Sequence, residues 1–114
     1  MTIYLAGKIT GDPRYREKFE AAAERLRIWP DAIVLNPAEL PEGMRAEDYM
    51  AICLPMLLRA ERVVFLPDWR ESGGARIEHA LAEYVGKPIV DMEGCDHAGR
   101  REAAPAAGAG ALSV

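Results

Sequence analysis

Four short apolar runs, separated by stretches of helical periodicity, leave this chain few ways to fold. The runs are Ile3-Tyr4-Leu5-Ala6, Ala32-Ile33-Val34-Leu35, Arg62-Val63-Val64-Phe65-Leu66 and Pro88-Ile89-Val90. The first, Ile3-Tyr4-Leu5-Ala6, is a continuous apolar run that suits a strand buried on both faces of a sheet. Between the first two, from Asp12 to Trp29, Phe19, Ala22, Ala23, Leu26 and Trp29 recur at helical spacing. Pro13 fits the first turn of that predicted helix. A second helix is predicted over Ala46 to Arg59, with Tyr49, Ile52, Cys53, Met56 and Leu57 as its buried stripe. Pro55 inside it should kink or break it. Ser72 is a suitable N-cap for a third helix, which Gly86 is placed to end. Residues 37–45, with Pro37, Pro41 and Gly43, read as a loop.

Strand and helix in strict alternation indicate an α/β fold with a parallel sheet. Right-handed crossovers prune the topologies to a few. The commonest is a single-domain, three-layer, flavodoxin/Rossmann-like sheet with strand order 2-1-3-4. A chain of 114 residues, half of them apolar, supports one such core. The domain is expected over residues 1–92. Residues 93–114, low in complexity towards their end, are expected to form a flexible tail.

In sheets of this kind ligands bind at the carboxyl ends of the strands, beside the point where strand order reverses. Here that point lies between strands 1 and 3. Three segments should meet there: Gly7–Gly11, Pro67–Glu71 and the start of the third helix.

Each carries residues with chemical potential. Gly7 and Gly11 let backbone approach a ligand closely. Lys8 and Thr10 alternate, so an ammonium and a hydroxyl can face one anion. The same loop also reads as a plain strand-to-helix turn. Its spacing fits neither a dinucleotide fingerprint nor a Walker loop. Ser72-Gly73-Gly74 presents free N–H groups at a helix start, a ready anion site or an ordinary cap. Ile77, Leu81, Tyr84 and Val85 form an apolar stripe on that helix, with Arg76, His79 and Glu83 opposite. Glu78 falls at the stripe's margin. A partly desolvated carboxylate beside a cleft can act as base or nucleophile; an edge glutamate bending to water is the plainer reading. Tyr4, inside strand 1, needs a partner for its hydroxyl if buried. Asp68 ends strand 3, where ligand contacts and turn-forming aspartates are both common.

The net charge of −4 argues against a polymeric nucleic-acid partner. No apolar run nears the ~20 residues a membrane span needs. The N-terminus lacks a signal-peptide pattern. Cys53 and Cys95 are too few and too far apart for a zinc site. A cytoplasmic location is therefore expected, with no metal and no cofactor. His79 and His97 read as surface or tail residues. Self-association is expected, with the Met50, Met56, Leu57 and Leu58 surface of the second helix as the interface.

Three stretches together resemble the nucleoside 2-deoxyribosyltransferase-like superfamily, closest to its short phage- and bacteria-associated branch of unassigned function. They are Ile3-Tyr4-Leu5-Ala6-Gly7-Lys8-Ile9-Thr10-Gly11, Leu35-Asn36-Pro37-Ala38-Glu39-Leu40-Pro41, and the run from Ser72 through Glu78 and Ala82 to Gly86-Lys87-Pro88. The resemblance implies that Glu78 is a nucleophile for the anomeric carbon of a sugar, oriented by Tyr4. It also implies that Lys8, Thr10 and Ser72 hold a 5′-phosphate. It leaves the acid that would protonate the departing base unassigned: Cys53 stands in the nearest register on the second helix, and Asp68 is a possible substitute. The expectation is an N-glycosidase or deoxyribosyltransferase acting on a nucleoside monophosphate. The alternatives are a non-catalytic module that binds a nucleotide or an ADP-ribose-type ligand, and a small assembly protein.

Overall fold

The computed structural model describes residues 1–92; the predicted tail, Cys95 and His97 lie outside the described residues. The chain forms β1 (Thr2–Ala6), α1 (Tyr15–Leu26), β2 (Ile33–Leu35), α2 (Ala46–Arg59), β3 (Arg62–Phe65), α3 (Gly73–Val85) and β4 (Ile89–Asp91). The sheet is wholly parallel, in the order β2-β1-β3-β4. That is the α/β, Rossmann-like arrangement expected from the alternation of elements.

The two-residue period of β1 divides the core. Ile3 and Leu5 face α1 and pack with Phe19, Ala22, Ala23 and Leu26. Tyr4 and Ala6 face the opposite side, with Cys53 and Leu57 of α2 and Ala75 and Ala82 of α3. The result is three layers, with α1 on one face of the sheet and α2 with α3 on the other. Strands β1 and β3 are central and buried, which explains why their sequences do not alternate with polar residues.

Several boundaries differ from expectation. Helix α1 starts at Tyr15 rather than Asp12, and Pro13 precedes it. The Asp12 carboxylate accepts from Arg14 N at 2.9 Å, and Tyr15 N reaches Asp12 O, so residues 12–15 close a turn instead of a helical start. Residues 37–39 form a single 3-10 turn, capped by the Asn36 side chain on Ala38 N. Helix α2 runs unbroken through Pro55, whose ring sits on the exposed side. Ile52, expected in its buried stripe, is 38 % exposed, whereas Leu57 is fully buried in the core and cannot form an interface.

The largest correction concerns α3. Its inward face is Ala75, Glu78 and Ala82. Ile77 is 54 % exposed, Tyr84 70 % and Val85 43 %. Small residues win the inward face because they let the helix lie close on β1 and β3. Glu78 stays inside with them because it has a polar partner there.

Candidate active site

Tyr4 is the third residue of β1 and Glu78 the sixth of α3. The Tyr4 hydroxyl donates to Glu78 Oε2 at 2.6 Å, joining groups 74 residues apart. Glu78 is 5 % exposed and Tyr4 1 %. Burial raises the Glu78 pKa to about 7, and the Tyr4 hydrogen bond acts against that rise. Tyr4 is pushed well above the usual tyrosine range by burial first and by the neighbouring Glu78 charge second, so it remains a donor at all ordinary pH. The Cys53 thiol adjoins the pair from α2; its pKa is raised by burial.

These groups form the floor of a cavity of about 620 Å³, within the range usual for small-ligand sites. The first loop contributes Gly7, Lys8, Ile9 and Thr10 to its lining, and the start of α3 contributes Ser72, Gly73 and Gly74. Ala46, Tyr49, Met50 and Cys53 close it from α2. Sequence reasoning missed the α2 wall because it read Tyr49 as core; its hydroxyl in fact donates to Pro41 O at 2.7 Å, fixing the loop before α2.

Local sequence explains each placement. A Cβ at Gly7 would lie 2.9 Å from Leu66 Cδ1 and 3.0 Å from Leu66 Cβ, so only glycine lets β1 leave the sheet against β3. Gly11 closes the loop with φ +86°, in the left-handed region. Ser72 Oγ accepts from Ala75 N at 3.1 Å, the N-cap expected of it. Lys8 Nζ lies 3.9 Å from Glu71 Oε1.

Gly11 and Asp68 do not line this cavity. Gly11 belongs to an adjoining hollow with Asp12, Tyr15 and Tyr49. Asp68 Oδ1 accepts from Lys8 N at 3.1 Å, and its other oxygen is paired with Lys18 Nζ. It supports the loop from outside. His79, expected at the surface, is partly buried and stacks on Trp69 at 4.0 Å with the rings 2° from parallel. Among the described residues no group of three or more His, Cys, Asp or Glu is arranged to hold a metal, and no helix is long and apolar enough to cross a membrane.

The arrangement is a buried carboxylate at the bottom of a hollow whose rim offers an ammonium, a hydroxyl and a helix N-terminus. A family model described as a domain of unknown function, DUF4406, matches residues 1–91. The chain belongs to this family. The DUF4406 match takes in every element of the sheet and every residue of the cavity. No curated protein and no solved structure matches the chain.

Proposed function

We propose that this DUF4406 chain cleaves the base–sugar bond of a nucleoside monophosphate, as an N-glycosidase or deoxyribosyltransferase. The observation that carries the reading is the buried Glu78 carboxylate, held by the Tyr4 hydroxyl in a cavity whose lining also includes Lys8, Thr10 and Ser72. The resemblance of the three motif stretches to nucleoside 2-deoxyribosyltransferase-like proteins supports the same roles for Glu78 and Tyr4.

In this reading Lys8, Thr10, Ser72 and the free N–H groups at the start of α3 hold the 5′-phosphate. The sugar lies over Glu78. The ionised carboxylate attacks C1′, and the C1′–N bond breaks with its electron pair leaving on the base, which takes a proton from water. Water, or a nitrogen of a second base, then attacks C1′ and returns the carboxylate. Tyr4 keeps Glu78 oriented and donates throughout.

One observation favours a second reading, binding without cleavage. Of the acids lining the cavity, Glu71 is largely exposed and paired to Lys8, so none besides Glu78 is placed over a departing base. A panel of nucleosides and their 5′-monophosphates, assayed for free base by chromatography, separates the two. Cleavage predicts base from the monophosphates and little from the nucleosides. No base from any member, with a thermal shift from the monophosphates, establishes the binding reading instead.

A further inference from the structure

Helix α1 sends one side chain into the framework of the candidate site. Lys18 is only one quarter exposed along its side chain. Its Nζ donates to Lys8 O at 2.9 Å, to Asp12 Oδ2 at 2.5 Å and to Asp68 Oδ2. An ammonium has three hydrogens, and all three are used on separate pieces of chain: the loop after β1, the turn before α1 and the turn after β3. Asp68 completes the connection by accepting from Lys8 N at 3.1 Å. Lys8 is thus held at both its N–H and its C=O, by groups that are themselves joined through Lys18.

We propose that Lys18 is a positioning residue, clamping the Gly7–Gly11 loop in the form that receives an anion and neutralising the Asp12 and Asp68 carboxylates behind it. This rests on reading that loop as the phosphate site. The loop has no regular hydrogen-bonding ladder of its own, so its shape depends on such ties. Charge gives the second part of the argument. Without Lys18, two carboxylates would stand uncompensated behind the backbone meant to approach a phosphate, and like charges at short range oppose binding. Burial works against the Lys18 charge, but Asp12 and Asp68 outweigh it and hold its pKa above the ordinary lysine value. Asp12 is held below its ordinary value, chiefly by the hydrogen bond from Lys18. Lys18 and Asp12 therefore stay charged through the neutral range.

The test uses Lys18→Met and Lys18→Arg in the full chain. Titration with 2′-deoxynucleoside 5′-monophosphates and with the unphosphorylated nucleosides reads the site, and amide hydrogen exchange at Lys8 reads the loop. Lys18→Met is expected to weaken monophosphate binding by about tenfold or more, to leave nucleoside binding unchanged and to speed exchange at Lys8. Lys18→Arg is expected to restore most of both. If Lys18→Met does not fold, Lys18→Gln, which removes the charge shared by Asp12 and Asp68, is expected to weaken monophosphate binding in the same direction. Unchanged monophosphate affinity alongside unchanged Lys8 protection overturns the proposal while the phosphate reading stands. Faster Lys8 exchange in a protein whose wild type binds no monophosphate upholds the clamp and overturns the phosphate reading.

Discussion

The Tyr4 hydroxyl, on the central strand β1, sits 2.6 Å from Glu78 Oε2 of α3. That contact opposes the effect of burial on Glu78, and the balance leaves the carboxyl titrating at about 7. A carboxylate so placed can be ionised for nucleophilic work near neutral pH while remaining poorly hydrated and reactive.

Removing the hydroxyl should tip that balance. In Tyr4→Phe the ionised Glu78 loses its donor, so its pKa should rise further above the ordinary glutamate value. Carbon-detected NMR titration of labelled glutamate checks this directly. Stability should fall by roughly 1–3 kcal/mol above pH 7, where a buried charge is left unsatisfied, and by less near pH 5, where the carboxyl is neutral.

Glu78 should also cost the protein stability as pH rises. Its folded pKa is raised from 4.5 to about 7, so the folded state holds a proton that the unfolded state has released. The contribution is favourable below about pH 4.5 and is lost as pH climbs to about 7. Glu78→Gln removes the titration. It should melt higher than wild type at pH 8, by about 3 kcal/mol in stability, and the gap should close towards pH 5. Thermal melts across that range are the check. Equal melting at pH 8 would mean that Glu78 is well solvated.

Ser72 allows cap and ligand roles to be separated. Ser72→Ala should lose ~1 kcal/mol of stability together with affinity for monophosphates. Ser72→Asp keeps a side-chain acceptor for Ala75 N and should retain the stability, but its charge opposes a phosphate. Monophosphate titration of the two variants should therefore show loss in both, with the stability loss confined to Ser72→Ala.

Gly7→Ala should cost roughly 1–3 kcal/mol, the usual penalty of overpacking, because its Cβ meets Leu66 at 3.0 Å or less from Cδ1 and Cβ. Chemical denaturation measures it. Leu66→Ala in the same chain should recover part of the loss by clearing the space, whereas simple addition of the two penalties would contradict the contact.

The fold was readable because the apolar runs and helical stretches differ in period, and a parallel sheet with right-handed crossovers then has few orders. The loop after β1 and the Ser72 cap were readable from glycine placement and capping chemistry. Glu78 was only partly readable. Hydropathy put Ile77, Tyr84 and Val85 inward, yet α3 turns Ala75, Glu78 and Ala82 to the sheet. Periodicity weighs side chains by polarity and cannot sense that alanines permit close approach, or that Tyr4 waits as a partner on another element. Asp68 and Lys18 show the same limit. Their pairing spans 50 residues, and single-sequence spacing carries no record of contacts across that distance. The wall from α2 escaped notice because Tyr49 was read as core and Met50 as part of a self-association surface, whereas both line the cavity.

Free-base release from 2′-deoxynucleoside 5′-monophosphates by wild type and Glu78→Gln, side by side across pH 5 to 9, tests the central claim most directly. The account predicts release by wild type that rises through about pH 7, as Glu78 ionises, and a rate at least ~100-fold lower in Glu78→Gln at pH 8 and above, the gap narrowing towards pH 5. Equal release by the two proteins would contradict it.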